Sequence, residues 1–153
     1  MVNKSYKVFT DGACSGNGTL SAKAGYAVII CDKDFNQLES MKGKVEGKQT
    51  NNRAELFAVL TSLKWIEDNI DSINDVVIYA DSEITVKGLT GECSRNANRD
   101  IWDKVETICE NITAKAKVSI VHTAAHTKDN NTIGMLNNEA DRLAKIASRA
   151  LLC

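Results

Sequence analysis

Four acidic residues, Asp11, Glu55, Asp81 and Asp141, stand where one run of sequence gives way to another. Asp11-Gly12 follows a β-favouring run from Tyr6 to Thr10 and is a turn dipeptide, so a carboxylate is expected where a strand runs out. Asp81-Ser82 closes the apolar run Val76-Val-Ile-Tyr-Ala80, which has the composition of a strand covered on both faces. Glu55 and Asp141 fall in the expected first turns of two helices, each three residues after an asparagine N-cap, Asn52 and Asn138. Capping and the helix dipole, worth roughly 0.3–1 kcal/mol per acid, account for any one of them singly. As a set they point to a shared site. In a mixed α/β sheet, ligands bind beyond the carboxyl ends of the strands. Carboxylates that converge there repel one another unless a cation answers them. Oxygen-only ligands favour Mg²⁺ or Mn²⁺ over zinc, and a pair of such ions serves in-line attack on a phosphodiester.

The elements that must position these acids are legible in the hydrophobic pattern. Strands are expected over 6–11, 25–31 and 38–45, with connections short enough for an antiparallel meander. A helix over 53–69 carries Leu56, Phe57, Leu60, Leu63 and Ile66 on one face. A buried strand follows over 76–80, then a short helix to about residue 89 and a loop over 90–98. A helix over 99–112 presents Trp102, Val105, Ile108, Cys109 and Ile112, and a strand is expected over 117–122. A polar loop runs to Leu136, and the last helix is expected over 137–151. The order is βββ-α-β-α-α-β-α, an α/β class with a five-stranded mixed sheet: three antiparallel strands, then two parallel ones, with helices on both faces.

Composition narrows the function. The chain has 153 residues, 43% of them hydrophobic and 25% charged, as expected of one globular domain spanning 1–153. A net charge of -1 gives no global basic field, so a polyanion must be held by a local patch or by bound metal. Five cysteines, an odd number with no C-x-x-C spacing, argue against structural zinc and a disulfide framework. The first seven residues include no apolar run, and no stretch reaches membrane-span length. The expectation is an intracellular, cytoplasmic protein with no membrane partner.

Thr10-Asp11-Gly12, Thr50-Asn51-Asn52-Arg53-Ala54-Glu55-Leu56, Ala80-Asp81-Ser82 and Asn138-Glu139-Ala140-Asp141-Arg142-Leu143-Ala144 together resemble the type 1 ribonuclease H family, in that family's order and over essentially the whole chain. The resemblance implies the ribonuclease H-like fold. It also implies an endoribonuclease that cuts the RNA strand of an RNA–DNA hybrid and leaves 5′-phosphate and 3′-hydroxyl ends. By the same resemblance, Asp11, Glu55, Asp81 and Asp141 hold two Mg²⁺ ions, with Mn²⁺ a substitute. Asn17, Asn51 and Asn52 meet the hybrid's minor groove, where 2′-hydroxyls distinguish RNA from DNA, and Thr50 lies near a DNA-strand phosphate. His126 assists proton transfer or product release. A monomer is expected.

The chain departs from the family pattern in three places. The loop after His126 is longer, with 129–136 as the extra piece. Glu83 stands where many relatives carry Gln. In place of a basic helical protrusion, residues 87–104 set Lys87, Arg95, Arg99 and Lys104 against Glu92, Asp100 and Asp103, and this short form implies weak, salt-sensitive substrate binding. His122, inside the last strand, is expected to be packed or hydrogen-bonded there. The alternatives are a non-catalytic hybrid-binding module, or a DNA-cutting nuclease of the same fold.

Overall fold

The computed structural model describes residues 4–123 and 132–150. The β-branched and aromatic runs form β1 (Ser5–Ser15), β2 (Lys23–Asp32), β3 (Gln37–Lys44), β4 (Asp75–Ala80) and β5 (Lys117–His122). They make one sheet in the order β3-β2-β1-β4-β5. The first three strands are antiparallel, and β4 and β5 run parallel to β1. The helices are α1 (Asn51–Asp68), α2 (Glu83–Thr90), α3 (Arg99–Thr113) and α4 (Thr132–Arg149), with a 3₁₀ turn at Ile70–Ser72. None of the described helices is long and apolar enough to cross a membrane.

Period-two alternation along the central strands sends side chains to two cores. Val8, Val28, Ile30, Val76 and Ile78 pack with Leu60, Leu63 and Ile66 of α1 and with Trp102 and Val105 of α3. Their neighbours Phe9, Ile29, Cys31 and Tyr79 face the other way, onto Ala140 of α4. The Phe9 and Tyr79 rings stack there at 4.7 Å. Helices therefore cover both faces, as the pattern predicts.

Three local expectations are corrected. β1 does not stop at Asp11-Gly12 but continues to Ser15, because Asp11 pairs with Ala27 and Gly12 with Tyr26 on β2. Its parallel partner does stop: the last β1–β4 pair is Thr10 with Ala80. Asp11 is thus at a strand end on one side only. Helix α1 starts at Asn51 rather than 53, because the Thr50 hydroxyl, not Asn52, caps it by accepting from the Arg53 N–H. Glu55 therefore lies just past the first turn. Helix α4 begins at Thr132, so Ile133 and Leu136, expected in a loop, instead pack against Phe9 and Tyr79. Asp141 sits mid-helix, and Asn138 is not its cap. At Asp81 the cap is Ser82, whose hydroxyl accepts from the Thr85 N–H, leaving the Asp81 carboxylate free of that task.

Candidate active site

The parallel register brings the first two acids together. Thr10 and Ala80 are the last paired residues of β1 and β4, so Asp11 and Asp81 follow them side by side where the strands part. Glu55 joins from α1, and Gly12 is what lets it. A Cβ at Gly12 would lie 2.4 Å from both the Ala54 carbonyl carbon and the Glu55 nitrogen, so the helix backbone rests directly on β1. On the other face α4 rests on Gly25, where a Cβ would lie 2.3 Å from the Ser148 nitrogen. The two glycines draw a helix onto each side of the sheet near Asp11.

Ligand oxygens of Asp11, Glu55 and Asp81 all lie within 4.8 Å of one another. Asp11 is 3% exposed, and one of its oxygens accepts from the Gly12 N–H at 2.8 Å. Glu55 Oε2 and Asp81 Oδ1 are buried with no hydrogen-bond partner. Burial pushes the Asp11 carboxyl up to about 8, reinforced by the charges of Asp81 and Asp141 and opposed by a hydrogen bond with Glu55. Burial likewise raises Glu55 well above its usual range, with Asp11 and Asp81 adding to it. Without a cation, burial and the neighbouring carboxylates both disfavour the charged forms of Asp11 and Glu55. Orphaned carboxylate oxygens at this spacing are a donor set that suits a hard divalent cation.

Asp141 reaches the group from α4. It bears on Asp11 electrostatically but is partly exposed, and its Oδ2 pairs with Lys145 Nζ at 2.9 Å. Glu83 stays out of the cluster, on the surface of α2, and pairs with Lys87 at 2.7 Å. His122 is exposed at the end of β5, with its Nε2 3.1 Å from the Asp81 carbonyl oxygen. His126 lies outside the described residues.

Beside the acids, Asn17, Thr50, Asn51 and Asn52 form a polar ledge. The Asn17 Oδ1 accepts from the Asn51 N–H at 3.0 Å, tying the β1–β2 turn to the start of α1. Asn51 and Asn52 are exposed. Sequence reasoning does not single out Arg53, which anchors the ledge. Its guanidinium is nearly buried, donates to the Glu46 carbonyl at 2.7 Å, and grips both Asp100 oxygens at 2.9 and 2.7 Å. The apolar cleft of about 370 Å³ between α3 and β5 shares no residue with the acids or the ledge.

A mixed sheet with a carboxylate cluster where two parallel strands part, flanked by a polar ledge, defines an acidic, cation-ready site. The RNase H family profile matches residues 3–149, and the chain belongs to that family. A ribonuclease H of Trichodesmium erythraeum is 33% identical over 159 residues, covering 94% of this chain and 88% of the relative. Human ribonuclease H1 is 29% identical over 90% of this chain and 48% of its own length, so the chain spans about half of that relative. Among solved structures, RNase H1 of Halobacterium salinarum superposes with a TM-score of 0.71 at 26% identity over 94% of this chain and 96% of its own. The LC11-RNase H1, solved in complex with an RNA/DNA hybrid, gives 0.75 at 23% identity with the same coverage, a likeness of fold.

Proposed function

We propose that the chain is a metal-dependent endoribonuclease that hydrolyses the RNA strand of RNA–DNA hybrids, leaving 5′-phosphate and 3′-hydroxyl ends. We further propose that it works as a monomer, with residues 1–153 forming one catalytic domain. The observation that carries this reading is the acid cluster: three carboxylates with oxygens within 4.8 Å of one another, two of those residues having a buried oxygen with no partner. Family membership supports the reaction class, and the hybrid bound by LC11-RNase H1 supports the substrate.

In this reading Asp11, Glu55, Asp81 and Asp141 hold two Mg²⁺ ions, for which Mn²⁺ can substitute. When bound, the ions supply Lewis acidity at the phosphate and lower the pKa of a coordinated water. The protein's own groups position and select. The Gly12 N–H fixes the Asp11 carboxylate, and burial keeps Glu55 and Asp81 oxygens free of competing hydrogen bonds. Asn17, with its Oδ1 engaged, keeps its amide N–H groups for the substrate. Asn51 and Asn52 read 2′-hydroxyls in the minor groove, while Thr50 lies against a DNA phosphate. His126 assists proton transfer or product release.

The test is cleavage of labelled RNA–DNA, RNA–RNA and DNA–DNA duplexes with Mg²⁺, comparing the wild-type chain with Asp11→Asn. The expected result is cutting of the hybrid's RNA strand alone, lost in the variant. Tight hybrid binding with no cutting would favour a binding module, and cutting of DNA alone would favour a DNA nuclease of this fold. Asp11→Asn should fold well, because a neutral amide resembles the protonated state that burial already favours at this position.

A further inference from the structure

We infer that a groove of about 780 Å³ beside the asparagine ledge, with Lys23 and Lys44 on its walls, is a track for a phosphodiester backbone. It carries the hybrid strand that runs past the ledge and away from the acids. The inference rests on the hybrid reading of the site and names where an acidic chain finds its cationic grip.

The groove and the ledge are built from neighbouring stretches of the same two segments. One wall is Ala22 and Lys23, which end the turn carrying Asn17. The other is the stretch from Lys44 to Gln49, which leads directly into Thr50, Asn51 and Asn52. In this proposal a backbone leaving the ledge passes between these segments into the groove, which Ala150 also lines. Gln49 braces the two walls. Its Oε1 accepts from the Ala24 N–H at 2.7 Å, and its Nε2 donates to the Val45 and Gly47 carbonyls at 2.7 and 2.9 Å. The Val45 N–H donates to the Ala24 carbonyl as well. The walls are therefore set before any ligand arrives.

Charge points to the same occupant. Six cations elsewhere are neutralised: Arg53 by Asp100, Lys87 by Glu83, Arg95 by Glu106, Arg99 by Asp103 and Glu106, Arg142 by Glu139, and Lys145 by Asp141. Lys23 and Lys44, like Lys64 and Lys104, make no ion pair among the described residues, and what sets these two apart is that they line the groove beside the ledge. Lys44 donates once, to the Ser148 carbonyl at 3.1 Å, which steers its ammonium to the groove beside the end of α4 and leaves two N–H donors. Glu46 is the one acid on the walls against these two lysines. Seven residues of α4 separate Asp141 from Ser148, a rise of about 10 Å, or about three nucleotide steps along a strand. With one strand of the hybrid at the acids, the strand that runs past the ledge can thus be gripped in the groove a few nucleotides away.

The test measures hybrid affinity in chelator, where no strand is cut, across a salt series, together with KM for Mg²⁺-dependent cleavage. Lys23→Gln with Lys44→Gln should raise KM several-fold and lower the slope of log affinity against log salt by about one unit per lysine. Lys23→Gln alone should lose about one unit, which separates charge from any loosening of α4 by the Lys44 change. Lys44→Arg should keep the slope. Lys64→Gln with Lys104→Gln, exposed lysines on α1 and α3, should leave both readouts unchanged. A double variant with wild-type slope and KM would overturn the groove while leaving the hybrid reading intact. If the wild-type chain neither bound nor cut a hybrid, the functional reading itself would fall, and the groove with it.

Discussion

Arg53 sits between the asparagine ledge and the fold, and its chemistry gives a sharp expectation. The guanidinium is held by one backbone carbonyl and a bidentate carboxylate while its own side chain is 9% exposed. Charge-assisted bonds of this kind are worth about 1.5–3 kcal/mol each when removal strands a partner. Arg53→Ala should therefore cost about 2–3 kcal/mol in urea unfolding, with activity falling as the ledge loosens. The pair also leaves a signature in acid. The Arg53 hydrogen bond holds the Asp100 carboxyl down at about 2, below its ordinary 3.8. A depressed carboxylate contributes stability above its unfolded pKa and loses it as pH falls from about 4 towards about 2. Melting temperatures across that window should fall less steeply in Arg53→Ala than in the wild-type chain. Nothing in the sequence announces this pair, because Asp100 lies 47 residues beyond Arg53.

At the scale of elements, the site depends on how closely two helices approach the sheet. Gly12→Ala would drive a methyl group into the α1 backbone at 2.4 Å, where no flexible side chain can yield. The cost should be about 3 kcal/mol, the upper end for overpacking, and α1 must lift and carry Glu55 away from Asp11. Gly25→Ala makes an equally tight clash with α4, but at Ala147 and Ser148, two turns from Asp141. Comparable losses of melting temperature, with a much larger loss of kcat for Gly12→Ala, are the expected pattern. Equal losses of kcat would show that Gly12 serves packing alone. These approaches also show what the sequence could tell. Strand and helix order follows from periodicity and was legible, as was the convergence of Asp11, Glu55 and Asp81. The positions of Asp11 and Asp141 within their elements were not. Asp11-Gly12 reads locally as a turn, yet β2 pairing carries the strand through it and the glycine is spent on helix contact. The run 132–136 reads as polar loop, yet Ile133 and Leu136 find Phe9 and Tyr79 only in the folded sheet. Tertiary partners decided both.

For the whole molecule, the acid cluster couples stability to pH and to divalent cations in one measurable balance. Asp11 is raised to about 8 and Glu55 is raised as well, chiefly by burial and then by neighbouring carboxylates. An acid whose folded pKa exceeds its unfolded value binds the proton more tightly in the folded state. Its contribution is therefore fully present below the unfolded pKa and is lost as pH rises through the folded value. In chelator, stability should decline between about pH 4 and about pH 8. Mg²⁺ requires the deprotonated carboxylates that this decline creates, and a ligand bound only to the folded state stabilises it by mass action. Added Mg²⁺ should raise the melting temperature more near pH 8 than near pH 5 and flatten the decline. Asp11→Asn removes one member of the repelling set, so its melting temperature in chelator near pH 8 should equal or exceed that of the wild-type chain, and its response to Mg²⁺ should shrink. If the wild-type chain and the variant gained equally from Mg²⁺ at both pH values, the cation would be acting elsewhere on the surface. The two experiments together separate a cluster held apart for a metal from one that is merely crowded.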